Sequence, residues 1–267
     1  MSNKGVSIIL TILLLFLTFH FNKLLGFLCF LGVVLYFLLP YIFMIIGNKK
    51  YNDGNQEASL IWYERVYKLR QSSVKLKLTY TYVLIRLGQL DKAEKILNEF
   101  QKLDLNAIDK SAVIFNLSLV FWKSDRLPQA IKLLEDMYSN GFKSGLLYEN
   151  LGFYYILEGD VNKALAFNLE AYNYSSEDAT ILDNLAYNYY CMNRYEEALE
   201  HYKTLIPKNP SFSSAYYYYA LTLEALGRKE EALEALKRGL NCNFSYLSYV
   251  KKDQIKEEIE KLSVAKQ

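Results

Sequence analysis

Four alanines, Ala130, Ala164, Ala198 and Ala232, recur every 34 residues, and that period leaves few folds open to the chain. Other columns keep the same spacing around them. Leu117, Leu151, Leu185 and Tyr219 are large, and the residue after each is small: Ser118, Gly152, Ala186 and Ala220. Phe121, Tyr155, Tyr189 and Leu223 follow three positions after the small residue. Within one period, Leu182, Leu185, Ala186 and Tyr189 share a helical face, as do Ala198, Tyr202 and Leu205, with a turn at Met192-Asn193-Arg194 between them. Helix pairs this short cannot bury their apolar faces alone, so the period implies a stack of copies. In such a stack the small residue lets two helices approach while the large ones fill the gap to the next pair. Gly88, Gly159 and Gly227 fall at the inter-helix turn, where a positive φ favours glycine.

These columns resemble the tetratricopeptide repeat (TPR), whose signature is an aromatic, Leu-Gly, Tyr, then Ala, an aromatic and Pro. Tyr148, Leu151, Gly152, Tyr155 and Ala164 fit it, as do Leu185, Tyr189, Ala198, Tyr202 and Pro210. The departures are the Trp slot, held by Ile114, Tyr148, Leu182 and Tyr216, and the closing Pro, present in one copy. The resemblance covers most of the chain after about residue 55 and implies an all-α fold. That fold is a TPR α-solenoid, a right-handed superhelix of helix-turn-helix repeats whose concave face commonly binds a partner protein. The array is expected over 56–246: a half repeat at 56–70, then repeats starting near 74, 111, 145, 179 and 213. Between Ala93 and Ala130 the spacing is three residues longer than the period, with the slack expected in the loop around Leu103 to Lys110. A capping helix is expected in 247–267, over Leu247 to Leu262, charged on one side by Asp253, Lys256, Glu257 and Glu260.

Residues 1–48 are of another kind. Val6 to Phe21 and Leu24 to Ile46 are nearly all apolar, interrupted by His20, Asn22 and Lys23. The second run makes roughly 35 Å of helix, enough for a hydrocarbon core of about 30 Å. The first is shorter and spans only with local bilayer thinning. The expectation is a transmembrane helical hairpin, helices at about 6–21 and 24–46 with Asn22-Lys23 at the tip, followed by a linker at 49–55 that turns at Asp53-Gly54. A cleaved signal peptide is the rival reading, since Lys4 precedes an apolar run; against it, no alanine occurs before Ala58 to supply a cleavage site, and a longer apolar run follows. Lys4, Lys49 and Lys50 flank the hairpin and Lys23 marks its tip, which puts both ends, and the repeats, on the cytoplasmic side of the membrane.

Removing Lys4 and Lys23 from 31 basic residues leaves 29, equal to the 29 acidic ones. Nucleic acid is therefore not an expected partner, because phosphate binding needs a positive excess or stripe. Cys29, Cys191 and Cys242 are too dispersed for a disulfide framework or a metal site. His20 and His201 have no companion at ligand spacing, and no phosphate loop, nucleophile elbow or paired carboxylate is present. An enzyme is not expected, and neither metal nor cofactor.

The candidate site is the groove lined by the first helix of each repeat. Asn116, Asn150 and Asn184 hold one slot in three successive repeats, with Leu119, Phe153 and Tyr187 three residues on and so on the same face. Phe115, Trp122, Tyr190 and Tyr217 join them, and Asp183 with Glu149 and Glu224 makes one side acidic. One reading has the asparagines bond the main chain of an extended peptide while the aromatics take its side chains. The other has them contribute only to helix packing. The function expected is a membrane-anchored scaffold for a protein or peptide partner; the alternatives are a subunit of a membrane complex associating through the hairpin, with Gly26, Cys29 and Gly32 permitting close helix packing, and an accessory of an enzyme.

Overall fold

The computed structural model describes residues 14 and 16–264. They fall into two compact units divided between Tyr80 and Thr81.

In the first unit, residues 16–21 are helical and Asn22 interrupts the chain. Most of the first apolar run, and with it the first arm of the expected hairpin, lies outside the described residues. Asn22 caps helix α1 (Lys23–Asn52), its Oδ1 accepting from the Leu24 and Leu25 amides at 3.0 and 3.1 Å. Gly26 allows a close approach here, because a Cβ on it would fall 2.7 Å from Phe19 Cα. Among the described residues α1 alone is long and apolar enough to cross a membrane.

The expected 49–55 linker is helical through Asn52. The Asp53 amide still bonds the Lys49 carbonyl, so nothing breaks the helix until Gly54, whose φ is +78°. Helix α2 (Gln56–Lys68) buries Ser59, Tyr63 and Val66. It folds back on α1: the Tyr63 ring packs against Gly47, its hydroxyl donates to Asn48 Oδ1, and Trp62 lies 5.3 Å from the Phe43 ring. The Gln71 amide adds a 3.0 Å bond to the Tyr36 carbonyl. The compact unit consequently takes in α2 and residues up to Tyr80, well past the linker where the sequence suggests a boundary.

The second unit begins within α3 (Val74–Arg86) and continues as α4 (Leu90–Gln101), α5 (Ala107–Lys123), α6 (Leu127–Ser139), α7 (Gly145–Glu158) and α8 (Val161–Tyr174). Then follow α9 (Ala179–Cys191), α10 (Tyr195–Leu205), α11 (Ser213–Ala225), α12 (Lys229–Gly239) and α13 (Lys252–Val264). The turns inside the pairs repeat one conformation, with positive φ at Gly88, Asp125, Gly159, Asn193 and Gly227. Asp and Asn tolerate that region better than other residues bearing a Cβ. The column of small residues does what close packing requires. At Gly152 a Cβ would sit 2.1 Å from Asn168 Oδ1, so only glycine lets α8 bring that buried amide against α7. The Asn168 Nδ2 then donates to Asn188 Oδ1 at 3.1 Å, linking α8 to α9.

Two boundaries differ from the sequence reading. The three extra residues between Ala93 and Ala130 are wound into the start of α5, which has 17 residues where α9 has 13. Asn106 caps them by accepting from the Asp109 amide, so the first turn of α5 forms four residues before Ser111. At the other end, α13 starts at Lys252, five residues after Leu247. Residues 240–251 are instead a turn-rich segment held by side chains: Ser248 Oγ accepts from the Ser245 amide, and Gln254 Oε1 accepts from the Lys251 amide at the helix start.

Candidate functional site

The first helices of the repeats, α3, α5, α7, α9 and α11, present one face, and on it the structure brings an aromatic line together. Trp122 meets Phe153 edge-on at 5.4 Å, and Tyr187 lies 4.0 Å from Tyr218, which in turn lies 5.5 Å from Tyr190. What joins the two groups is a residue from the turn-rich segment: Tyr249 sits 5.1 Å from Phe153, 6.2 Å from Tyr187 and 6.4 Å from Tyr218. The chain's own tyrosine thus occupies the aromatic line.

The segment around Tyr249 is fastened at both ends. Ser213 Oγ donates to the Val250 carbonyl at 2.9 Å, and the Tyr246 amide donates to the Arg86 carbonyl at 3.1 Å. Tyr246 packs over Gly88, where a Cβ would lie 3.0 Å from its ring. Lys123 is wedged beside it, 3.9 Å from the Trp122 ring and 5.9 Å from the Tyr246 ring. Burial and the neighbouring Lys251 charge lower the Lys123 pKa to about 8.

The asparagine column is engaged within the protein. Asn116 Nδ2 donates to the Ala112 carbonyl and Asn150 Nδ2 to the Leu146 carbonyl, each one turn back in its own helix. Asn184 is buried, and its Nδ2 reaches across to the Glu149 carbonyl at 2.7 Å, tying α9 to α7. Phe115 is also buried and meets Phe142, so it belongs to the core between helix pairs. Leu119 is half-buried on α5. Tyr217 packs with the C-terminal core beneath α13, with Glu258 and Lys261 nearby, and meets the aromatic line at Tyr218, 5.2 Å away.

Tyr218 is the groove tyrosine that the sequence reading passes over. It stands 34 residues after Asn184, so the asparagine column itself was the signal that could have found it. The segment Leu247–Tyr249 carried no such signal, because it lies outside the repeats.

Beside the aromatic line is a cavity of about 350 Å³ walled by α7, α9 and α11, by Tyr82 of α3, and by Leu247, Ser248 and Tyr249. Two carboxylates line it. Asp183 is 7% exposed; its Oδ2 accepts a 2.9 Å bond from Ser214 Oγ, and its Oδ1 has no hydrogen-bond partner. Burial pushes the Asp183 pKa up to about 7, against the Ser214 bond, which lowers it. Glu149 is pushed up to about 7 as well, first by burial and then by the Asp178 charge. No basic residue lines the cavity among the described residues. Nor do any three described His, Cys, Asp or Glu residues stand close enough together to hold a metal ion.

Comparison with known proteins adds a family to this geometry. Residues 184–242 match the tetratricopeptide repeat family. This stretch is similar to TPR. The all-helical fold extends the likeness: a tetratricopeptide repeat protein from Parabacteroides merdae ATCC 43184 superposes with a TM-score of 0.66 at 15% identity, covering 85% of each chain. TTC0263, a thermophilic TPR protein of Thermus thermophilus, gives 0.48 at 13% identity over 84% of this chain and 99% of its own. YrrB, a TPR protein with an unusual peptide-binding site, gives 0.46 at 16% identity over 76% and 97%. At such identities the likeness is one of fold, carried by the first of the three. No curated protein matches the chain. TPR repeats in general form binding scaffolds.

Proposed function

We propose that this chain is a membrane-anchored TPR scaffold that binds a peptide segment of a partner protein on the face formed by its first helices. The observation that carries the reading is the cavity beside the aromatic line, an open recess lined by Glu149 and Asp183 on a face otherwise closed by well-packed rings. The partner lies along Asn116, Trp122, Asn150, Phe153 and Tyr187, with the asparagine Oδ1 atoms meeting its main chain and Tyr249 as part of the wall it meets. Residues 6–46 hold the protein in the bilayer, as a hairpin with its repeats on the cytoplasmic side. Confinement to the membrane surface raises the effective concentration of whatever the groove binds. Intrinsic catalysis and nucleic-acid binding form no part of this function.

A pull-down from intact cells tests it, comparing the full chain, a variant with Asn150→Ala and Tyr187→Ala, and a chain whose first 48 residues are replaced by an unrelated anchor. Partners lost with the groove variant and kept with the foreign anchor are the expected result. Partners lost only with the foreign anchor would transfer the function to the hairpin, as a subunit of a membrane complex.

A further inference from the structure

We infer that the cavity between α7, α9 and α11 is a pocket for one basic side chain, arginine or lysine, of an extended polypeptide partner. This deepens the scaffold reading and rests on it. Three independent features point to a cation. The first is charge: Glu149 and Asp183 face the same recess, and no basic residue of the lining answers them. The second is an incomplete bond set, since Asp183 is more than nine-tenths buried at the wall, uses Oδ2 for Ser214 and leaves Oδ1 without a donor. A buried polar atom left unpaired is costly, and a cation brought into the recess beside it offsets part of that cost. The third is the rest of the wall: Phe153, Tyr82, Tyr249 and Phe212 supply ring faces or edges around the two acids. Rings beside carboxylates suit a guanidinium or ammonium, which is held by charge and by the aromatic quadrupole together.

Size and placement select a single side chain. A volume of about 350 Å³ lies at the small end of the range for ligand pockets, roughly 300–1,000 Å³, so it admits one long side chain. The pocket also adjoins Asn150, whose slot on the groove face would meet the backbone of the residue being anchored. Tyr249 and Leu247 close the far wall, so the C-terminal segment helps to build the pocket while it covers the aromatic line. The charges that face the pocket are Glu149 from α7 and Asp183 from α9, with Asp178 close to Glu149; the hydroxyls beside them are those of Ser214, Tyr82 and Tyr249, and the Asp183 charge also reaches the buried Tyr202 hydroxyl of α10. Every charge in that set is negative, so a bound cation would favour the ionised form of both acids, and binding strengthens as the pH rises from about 6 to about 8.

The test is a titration of the full chain in detergent with N-acetyl-arginine amide, followed by NMR or calorimetry at pH 8. N-acetyl-citrulline amide serves as the neutral isostere, and agmatine presents the same guanidinium without the peptide groups. The expected result is saturable millimolar binding of the arginine amide, at least tenfold weaker for citrulline, for agmatine and for the Asp183→Asn chain. Glu149→Gln, at a half-buried position, gives a second, independent variant, with the same tenfold loss expected. Equal binding of citrulline, or no saturable binding of the arginine amide, would overturn the pocket. Agmatine binding as tightly as the arginine amide would overturn the polypeptide as its source. Partners retained in the pull-down by Asp183→Asn but lost with the Asn150→Ala, Tyr187→Ala chain would remove this inference and leave the scaffold standing.

Discussion

Helices α1 and α7 are both apolar nearly all round, yet they solve that problem in opposite ways. In α7, Leu147, Tyr148, Leu151 and Tyr154 are 1% exposed or less, because α6, α8 and α9 pack against it and α5 reaches it through Trp122. In α1, Leu24, Leu28 and Phe37 are more than half exposed, and α2 covers only the stretch around Phe43 and Gly47. A helix that is hydrophobic on all faces is either the interior of a solenoid or a segment for a non-aqueous solvent. The repeat period tells the two apart, since α7 has neighbours in register and α1 has none.

That contrast can be broken by one chemical change made in both places. Leu151→Ala removes side-chain volume from a site with no exposure and should cost about 2–5 kcal/mol, read as a fall in the unfolding transition. Leu28→Ala in α1, measured in detergent, should leave that transition within about 0.5 kcal/mol. Equal losses would mean that α1 is packed in protein after all.

The second prediction concerns the charge that the array buries. The folded Asp183 pKa of about 7 lies above the unfolded value near 3.9, so the folded state holds the extra proton between them. Stability from this group is therefore present at low pH and falls as pH rises from about 4 to about 7. Asp183→Asn should then gain roughly 2–4 kcal/mol at pH 8 and almost nothing at pH 4, as seen in thermal melts at the two pH values. A loss at pH 8 would contradict the burial of an unpaired carboxylate.

Smaller effects sharpen the packing side. Gly152→Ala forces a methyl toward Asn168 and should destabilise by about 1–3 kcal/mol in urea unfolding; no change would mean that the buried amide moves aside freely. Smallest of all, Tyr249→Ala removes ring contacts from a 36% exposed residue, a loss of about 1 kcal/mol or less. It should speed protease cleavage within 240–251 while the helix pairs stay protected.

The pair architecture was legible because each repeat restates it: the alanine column, the small column and the turn glycines mark the same slots four or five times. Positions without a repeat to restate them were not. The start of α5 and the delayed start of α13 depend on single caps, Asn106 and the Gln254 contact to Lys251, which periodicity does not weigh. The groove aromatics Trp122, Phe153, Tyr187 and Tyr190 do meet on one face, whereas Phe115 and Tyr217 turn to the core because neighbours 100° round the helix take the face instead. The covering segment Leu247–Tyr249 joins residues distant in sequence, Tyr249 lying 96 residues beyond Phe153, and no local pattern encodes such a contact.

The most direct test of the contrast, and of the anchoring built on it, is flotation of the full chain with liposomes, followed by carbonate extraction, beside a Leu28→Lys, Leu31→Lys variant. The native chain should float and resist carbonate, and the variant should be extracted while its helical spectrum is kept. A native chain that stays in the aqueous fraction as a monodisperse species without detergent would contradict the anchoring.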